Sequence, residues 1–128
     1  MNPILVIDDS AMMRKLILRL IAQAGVPVES ALEAADGAEA LALLGQSAPS
    51  LILCDINMPN MNGLQLLACI REQKLAPGVP IVMITTENGE AQVRQAVALG
   101  ARGYIRKPFT VDDIRSTVAP LLAAQAIA

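Results

Sequence analysis

Three aspartates, two threonines and a lysine stand where short apolar runs stop, and together they have the chemistry to manage phosphate or a divalent metal. Ile4-Leu5-Val6-Ile7 ends in Asp8-Asp9, and Leu51-Ile52-Leu53-Cys54 ends in Asp55. Ile81-Val82-Met83-Ile84 ends in Thr85-Thr86, and Tyr104-Ile105 runs into Arg106-Lys107-Pro108. Carboxylates forced together raise at least one pKa and cost stability, a cost that a cation among them removes. Hard oxygen donors without sulfur or imidazole favour Mg²⁺, which keeps several waters and takes few protein ligands. Beside such an ion, Asp55 can act as a nucleophile toward a phosphoryl group and become an aspartyl phosphate. Lys107 would then stabilise charge on the transferring oxygens, and the Thr85 hydroxyl could bond one of them.

Taken singly, each residue has a plainer reading. An acid after a strand caps the next helix. Thr85 alone is a strand residue or local cap, and Lys107 alone is solvated surface. Convergence is what makes them a site, so the elements that carry them decide the matter.

Short apolar runs bounded by turn residues are expected to be strands of a parallel sheet buried on both faces. In open α/β sheets the ligand site lies beyond the carboxyl ends of the strands, which is where these polar residues fall. A segment from Val28 to Ala34 is expected to supply the remaining strand, with the weakest pattern of the five. Between the runs the apolar period is helical. Ser10 is a good N-cap, after which Met13, Leu16, Ile17, Leu20, Ile21 and Ala24 recur on one face until Gly25. Asp36-Gly37-Ala38-Glu39 resembles a capping box opening a short helix through Leu44 and Gly45. Further helices are expected from Gly63 to Lys74, from Gly89 to Leu99, and from Thr110 onward with Ile114, Val118 and Leu121 inward. Pro120 is expected to kink or fray the last one. Alternating strands and helices require right-handed crossovers and a covered parallel sheet, an α/β doubly wound (βα)₅ sandwich.

Composition removes several functions. The 128 residues make one domain, residues 1–128, large enough for a real core. Its apolar content of 54% is spread through short segments, none reaching the roughly 18 residues of a membrane span. Without a leader pattern at the N-terminus, a soluble, cytoplasmic protein is expected. A net charge of −2 and no basic run argue against direct nucleic-acid binding. The absence of histidine excludes a Ser-His-Asp triad and zinc sites containing His. Cys54 and Cys69 read as small core residues in a reducing compartment, with a redox pair as the alternative.

The motifs Val6-Ile7-Asp8-Asp9-Ser10, Cys54-Asp55-Ile56-Asn57-Met58-Pro59-Asn60-Met61-Asn62-Gly63, Thr85-Thr86-Glu87 and Tyr104-Ile105-Arg106-Lys107-Pro108-Phe109 resemble, in order and separation, the response-regulator receiver domain. The likeness runs the whole chain and is strongest to the single-domain chemotaxis, or CheY-like, type. It implies a flavodoxin-like fold with strand order 2-1-3-4-5. It implies that Asp55 is the phospho-acceptor, charged by a phosphohistidine on a histidine kinase. It further implies one Mg²⁺ held by Asp9, Asp55 and the Asn57 carbonyl, with Asp8 acting through water. Lys107 would pair with the phosphoryl group, and the Lys107–Pro108 bond would be cis. Thr85 and Tyr104 would form the switch pair, biasing two existing packings. Asn57, Thr86 and Glu87 would tune phosphate lifetime, with the branched Thr86 restricting access. Such a domain signals rather than turns over substrate, catalysing only its own phosphorylation and slow autodephosphorylation.

The implied output is a face of the fourth helix, fifth strand and fifth helix on a monomer, where Arg94, Arg102 and Arg106 are either contacts or solvated charge. Its reader would be a flagellar-motor switch protein or, in a phosphorelay, a histidine-containing phosphotransfer protein. A receiver domain excised from a longer regulator is a further alternative. Two readings of other classes compete. A Mg²⁺-dependent phosphatase with an aspartyl nucleophile usually carries a second Asp two residues on, where this chain has Asn57. A nucleotide- or flavin-binding module lacks its Gly-rich loop, since Asp8-Asp9-Ser10 follows the first strand.

Overall fold

Five strands and five helices alternate among the described residues of the computed structural model, which are 3–26, 30–86 and 90–127, with side chains to residue 123. They are β1 (Ile4–Ile7), α1 (Ala11–Gln23), β2 (Ala31–Ala34), α2 (Gly37–Leu44), β3 (Leu51–Asp55), α3 (Gly63–Glu72), β4 (Ile81–Thr85), α4 (Glu90–Ala98), β5 (Gly103–Arg106) and α5 (Val111–Ile127). All strand pairs are parallel, in the order β2-β1-β3-β4-β5, as the resemblance implied.

Side chains alternate across a strand, so the sheet has a core on each face. Leu5, Ile7, Ile52 and Cys54 face Ala40 and Leu44 of α2, Leu66, Leu67 and Ile70 of α3, and Ala96 of α4. Ile4, Val6, Leu51 and Leu53 face Ile17 and Ile21 of α1 and Ile114 and Val118 of α5. Full burial of each such aliphatic side chain stabilises by roughly 1.5–3 kcal/mol. Both faces need it, which is why β1, β3 and β4 are unbroken apolar runs. β2 lies at the sheet edge with a partly exposed pattern. It carries the charged Glu33 among Ala31, Leu32 and Ala34, and Val28, expected to begin it, lies outside the described residues.

Helix starts follow the capping chemistry. Ser10 accepts from Met13 N at 3.2 Å, and Asp36 accepts from Glu39 N at 2.8 Å. The full reciprocal capping box, however, is at Asn62 and Gln65, which the sequence reading passed over. Two expectations change. Leu16 is 39% exposed, because the inward stripe of α1 centres on Ile17 and Ile21. α3 ends at Glu72, and Lys74 has φ 55, outside the helical region. α5 runs from Val111 to Ile127 with Pro120 inside it. The Gly89 expected to start α4 lies outside the described residues.

Candidate functional site

Sheet register assembles the acidic residues. Ile7 stands opposite Cys54, so Asp8 and Asp55 are the next residues on adjacent strands. Asp55 pairs with Ile84, and Thr85 with Arg106, which brings Thr85 and Lys107 to the same edge. Asp8, Asp9 and Asp55 each offer a carboxylate oxygen, and these lie within 4.8 Å of one another. Asp8 and Asp55 are buried, 1% and 3% exposed, whereas Asp9 faces solvent.

Each buried carboxylate is partly served. Asp8 Oδ1 accepts from Ser10 N at 2.9 Å, and Asp55 Oδ1 accepts from Asn57 N at 3.2 Å. Lys107 Nζ stands 3.4 Å from Asp55 Oδ2 and 3.5 Å from Asp8 Oδ2. Asp8 Oδ2 is buried with this ion pair but no hydrogen bond, and a buried oxygen without a hydrogen bond costs free energy. One ammonium shared between two buried carboxylates leaves the pocket negative. A small hard cation facing three carboxylate oxygens fits that charge.

The electrostatics agree. Burial pushes the Asp55 carboxyl above its ordinary range, Lys107 pulls it down, Asp8 raises it again, and the Asn57 amide lowers it. The neighbouring Cys54 thiol is pushed far up, chiefly by burial and then by Asp55 and Asp8. Cys54 and the half-buried Cys69 are both free. Cys54 packs in the core with Leu5, Ile7 and Ile52.

Around this centre, Lys107 N donates to the Thr85 carbonyl at 2.7 Å, and the Lys107–Pro108 bond is cis. Thr85 is fully buried, its hydroxyl donating to the Thr86 carbonyl at 3.3 Å. Thr86 and Asn57 are exposed beside the pocket. Tyr104 is 44% exposed and points away to the rim, with the Arg106 guanidinium 5.8 Å from its ring centroid. Arg106 Nη2 also stands 3.6 Å from Glu90 Oε1. Arg94 and Arg102 are exposed. Glu87 lies outside the described residues.

The family model for the response regulator receiver domain matches residues 4–119. The chain belongs to that family. Two relatives are chemotaxis proteins: CheY1 of Helicobacter pylori is 40% identical over 120 residues, covering 93% of this chain and 95% of that one. The CheY homolog of Campylobacter jejuni is 38% identical over 120 residues, covering 93% and 91%. Among solved structures, Vibrio cholerae CheY4 superposes with a TM-score of 0.81 at 32% identity, covering 94% of this chain and 98% of that one. This is a signalling receiver domain of the CheY type, and neither the phosphatase nor the flavin-module reading is favoured. Among the described residues, no helix of this receiver domain is long and apolar enough to cross a membrane.

Sequence reasoning gave no weight to Arg14, which touches the backbone of Asp8. Arg14 of α1 donates from Nη1 to the Asp8 carbonyl at 2.7 Å and from Nε to Glu33 of β2 at 3.0 Å. Lys15 Nζ holds the other Glu33 oxygen at 2.6 Å. Position alone marks Arg14 as a polar helix residue; Glu33 is 19 residues away, and the Asp8 carbonyl is backbone that no side-chain pattern signals.

Proposed function

We propose that Asp55 accepts a phosphoryl group from a phosphohistidine of a histidine kinase, within a receiver unit spanning residues 1–128. The observation that carries this is the Asp55 carboxylate, buried and 3.4 Å from Lys107 Nζ, beside an Asp8 oxygen with no hydrogen-bond partner. One carboxylate oxygen of Asp55 attacks phosphorus as the phosphorus–nitrogen bond breaks. The imidazole nitrogen keeps the electron pair and takes up a proton. Lys107 follows the charge onto the phosphoryl oxygens, and the Thr85 hydroxyl exchanges the Thr86 carbonyl for one of them.

Asp9, Asp55 and the Asn57 carbonyl would hold one Mg²⁺, with Asp8 acting through water. When bound, the ion neutralises the carboxylates and the incoming phosphoryl oxygens together. Thr85 and Tyr104 then act as the switch. The hydroxyl moves toward the phosphoryl group, space opens behind it, and the Tyr104 ring turns inward from the rim. Asn57, Thr86 and Glu87 set how fast donors enter and water attacks. The same pocket supplies the catalysis of phosphorylation and of slow autodephosphorylation. The protein works as a monomer in the cytoplasm, and the altered face of α4, β5 and α5 is read by a flagellar-motor switch protein. Names of relatives at 40% and 38% identity support the chemotaxis assignment.

Beryllofluoride, a phosphoryl mimic, tests this reading. Binding to the wild-type protein should require Mg²⁺ and should disappear in Asp55→Asn. Equal binding by the two proteins, or binding indifferent to Mg²⁺, overturns it.

A further inference from the structure

We infer that Arg14, held by Glu33, is a positioning residue for the cation pocket, an inference that rests on the receiver reading above. Besides its ion pair with Lys107, Asp8 is restrained by three hydrogen bonds. Its N–H donates to the Ala34 carbonyl at 3.1 Å, its Oδ1 accepts from Ser10 N, and its carbonyl accepts from Arg14 Nη1 at 2.7 Å. The third restraint bears on the next residue. The Asp8 carbonyl lies in the planar peptide that carries Asp9 N, so fixing that oxygen fixes the direction in which Asp9 leaves the strand. Asp9 is exposed, unlike the two buried carboxylates it must meet. The bond from a charged donor is also stronger than a neutral one, which suits a residue holding a turn against solvent.

Glu33 gives the guanidinium its orientation. Arg14 Nη1 reaches the backbone of a pocket aspartate, so the direction of the guanidinium matters. Glu33 engages Nε at 3.0 Å, while Lys15 at 2.6 Å secures the other Glu33 oxygen. Arg14, with a side chain 15% exposed, is thereby held with Nη1 on the Asp8 carbonyl. The register that sets Glu33 opposite Val6 places this brace one strand over from Asp8, so edge strand β2 acquires a part in the site.

Groups of this kind behind a metal ligand typically cost 10–100-fold in metal affinity when lost. The test is calorimetric titration of the folded protein with MgCl₂ alone, for wild type, Arg14→Met, Arg14→Lys, Glu33→Gln and Arg115→Met. Arg115 donates from Nε to the Ala24 carbonyl at 3.2 Å, a comparable bond at the far end of α1, and serves as the control for lost stability. Arg14→Met should weaken Mg²⁺ about tenfold. Glu33→Gln should weaken it in the same sense, Arg14→Lys should recover part of the loss, and Arg115→Met should bind as wild type. Wild-type affinity in Arg14→Met and Glu33→Gln, or an equal loss in Arg115→Met, overturns the inference and leaves the receiver reading intact. Failure of the wild-type protein to bind Mg²⁺ overturns both.

Discussion

Gly63 opens α3 directly against the strand end that carries Asp55. Its N–H donates to the Ile56 carbonyl at 2.8 Å, and a Cβ placed on it would overlap the Asp55 carbonyl oxygen and come within 2.7 Å of Ile56 Cα. Both obstacles are backbone, so neither can turn aside as a flexible side chain would.

Gly63→Ala should therefore move the acceptor strand end as well as destabilise. Overpacking of this kind costs about 1–3 kcal/mol. Denaturant unfolding should show that loss, and Mg²⁺ affinity should fall with it. Wild-type stability would mean that the close approach relaxes freely.

Glu33 predicts a pH dependence. The Lys15 ammonium, against some opposition from burial and with help from Arg14, holds its carboxyl below the ordinary value near 4.5. A folded pKa below the unfolded one contributes stability that is fully present above the unfolded value and is lost as pH falls through the folded one. The pairs are partly exposed, so Glu33→Gln should cost about 1 kcal/mol or less at pH 7. Thermal melts of the two proteins should converge below the carboxylate range. A gap that persists there would assign the loss to packing.

Thr86 is exposed at the mouth of the pocket, next to the Thr85 carbonyl that anchors Lys107. If its branched side chain restricts access, as the proposed function has it, Thr86→Ala should be phosphorylated faster by small donors such as acetyl phosphate. Equal rates would show that entry is limited elsewhere.

Tyr104 is the single tyrosine of a chain with no tryptophan, and Arg106 lies over its ring at 5.8 Å while facing Glu90 at 3.6 Å. Inward movement of the ring must break this contact, worth about 0.5–1 kcal/mol at an exposed site. Beryllofluoride with Mg²⁺ should change tyrosine emission, and Arg106→Ala should make the change occur at lower beryllofluoride. An emission indifferent to activation would exclude Tyr104 from the switch.

How much the sequence disclosed depends on how locally each feature is encoded. β1, β3 and β4 were plain because burial on both faces leaves nothing but apolar residues until the chemistry begins at Asp8, Asp55 and Thr85. β2 was faint because an edge strand is free to carry Glu33. Ser10 and Asp36 announced their helices through capping chemistry confined to three residues. Asn62 did the same with Gln65 and was overlooked inside a loop rich in turn residues. Leu16 followed the helical period yet sits at the rim, since periodicity gives a direction but not the width of the buried stripe. Lys107 had no signal of its own and was recovered only by the convergence of strand ends. Arg14 was out of reach, because its importance lies in a carbonyl and an edge-strand carboxylate that only the fold brings together.

The most direct measurement is chemical trapping of the acceptor. The protein should be incubated with a small phosphoryl donor and Mg²⁺, reduced with borohydride at the acyl phosphate, digested and sequenced by mass spectrometry. The modification should fall on Asp55 alone, should vanish when Mg²⁺ is chelated, and should be absent from Asp55→Asn. Labelling at another residue, or at Asp55 in equal yield without Mg²⁺, would contradict the account.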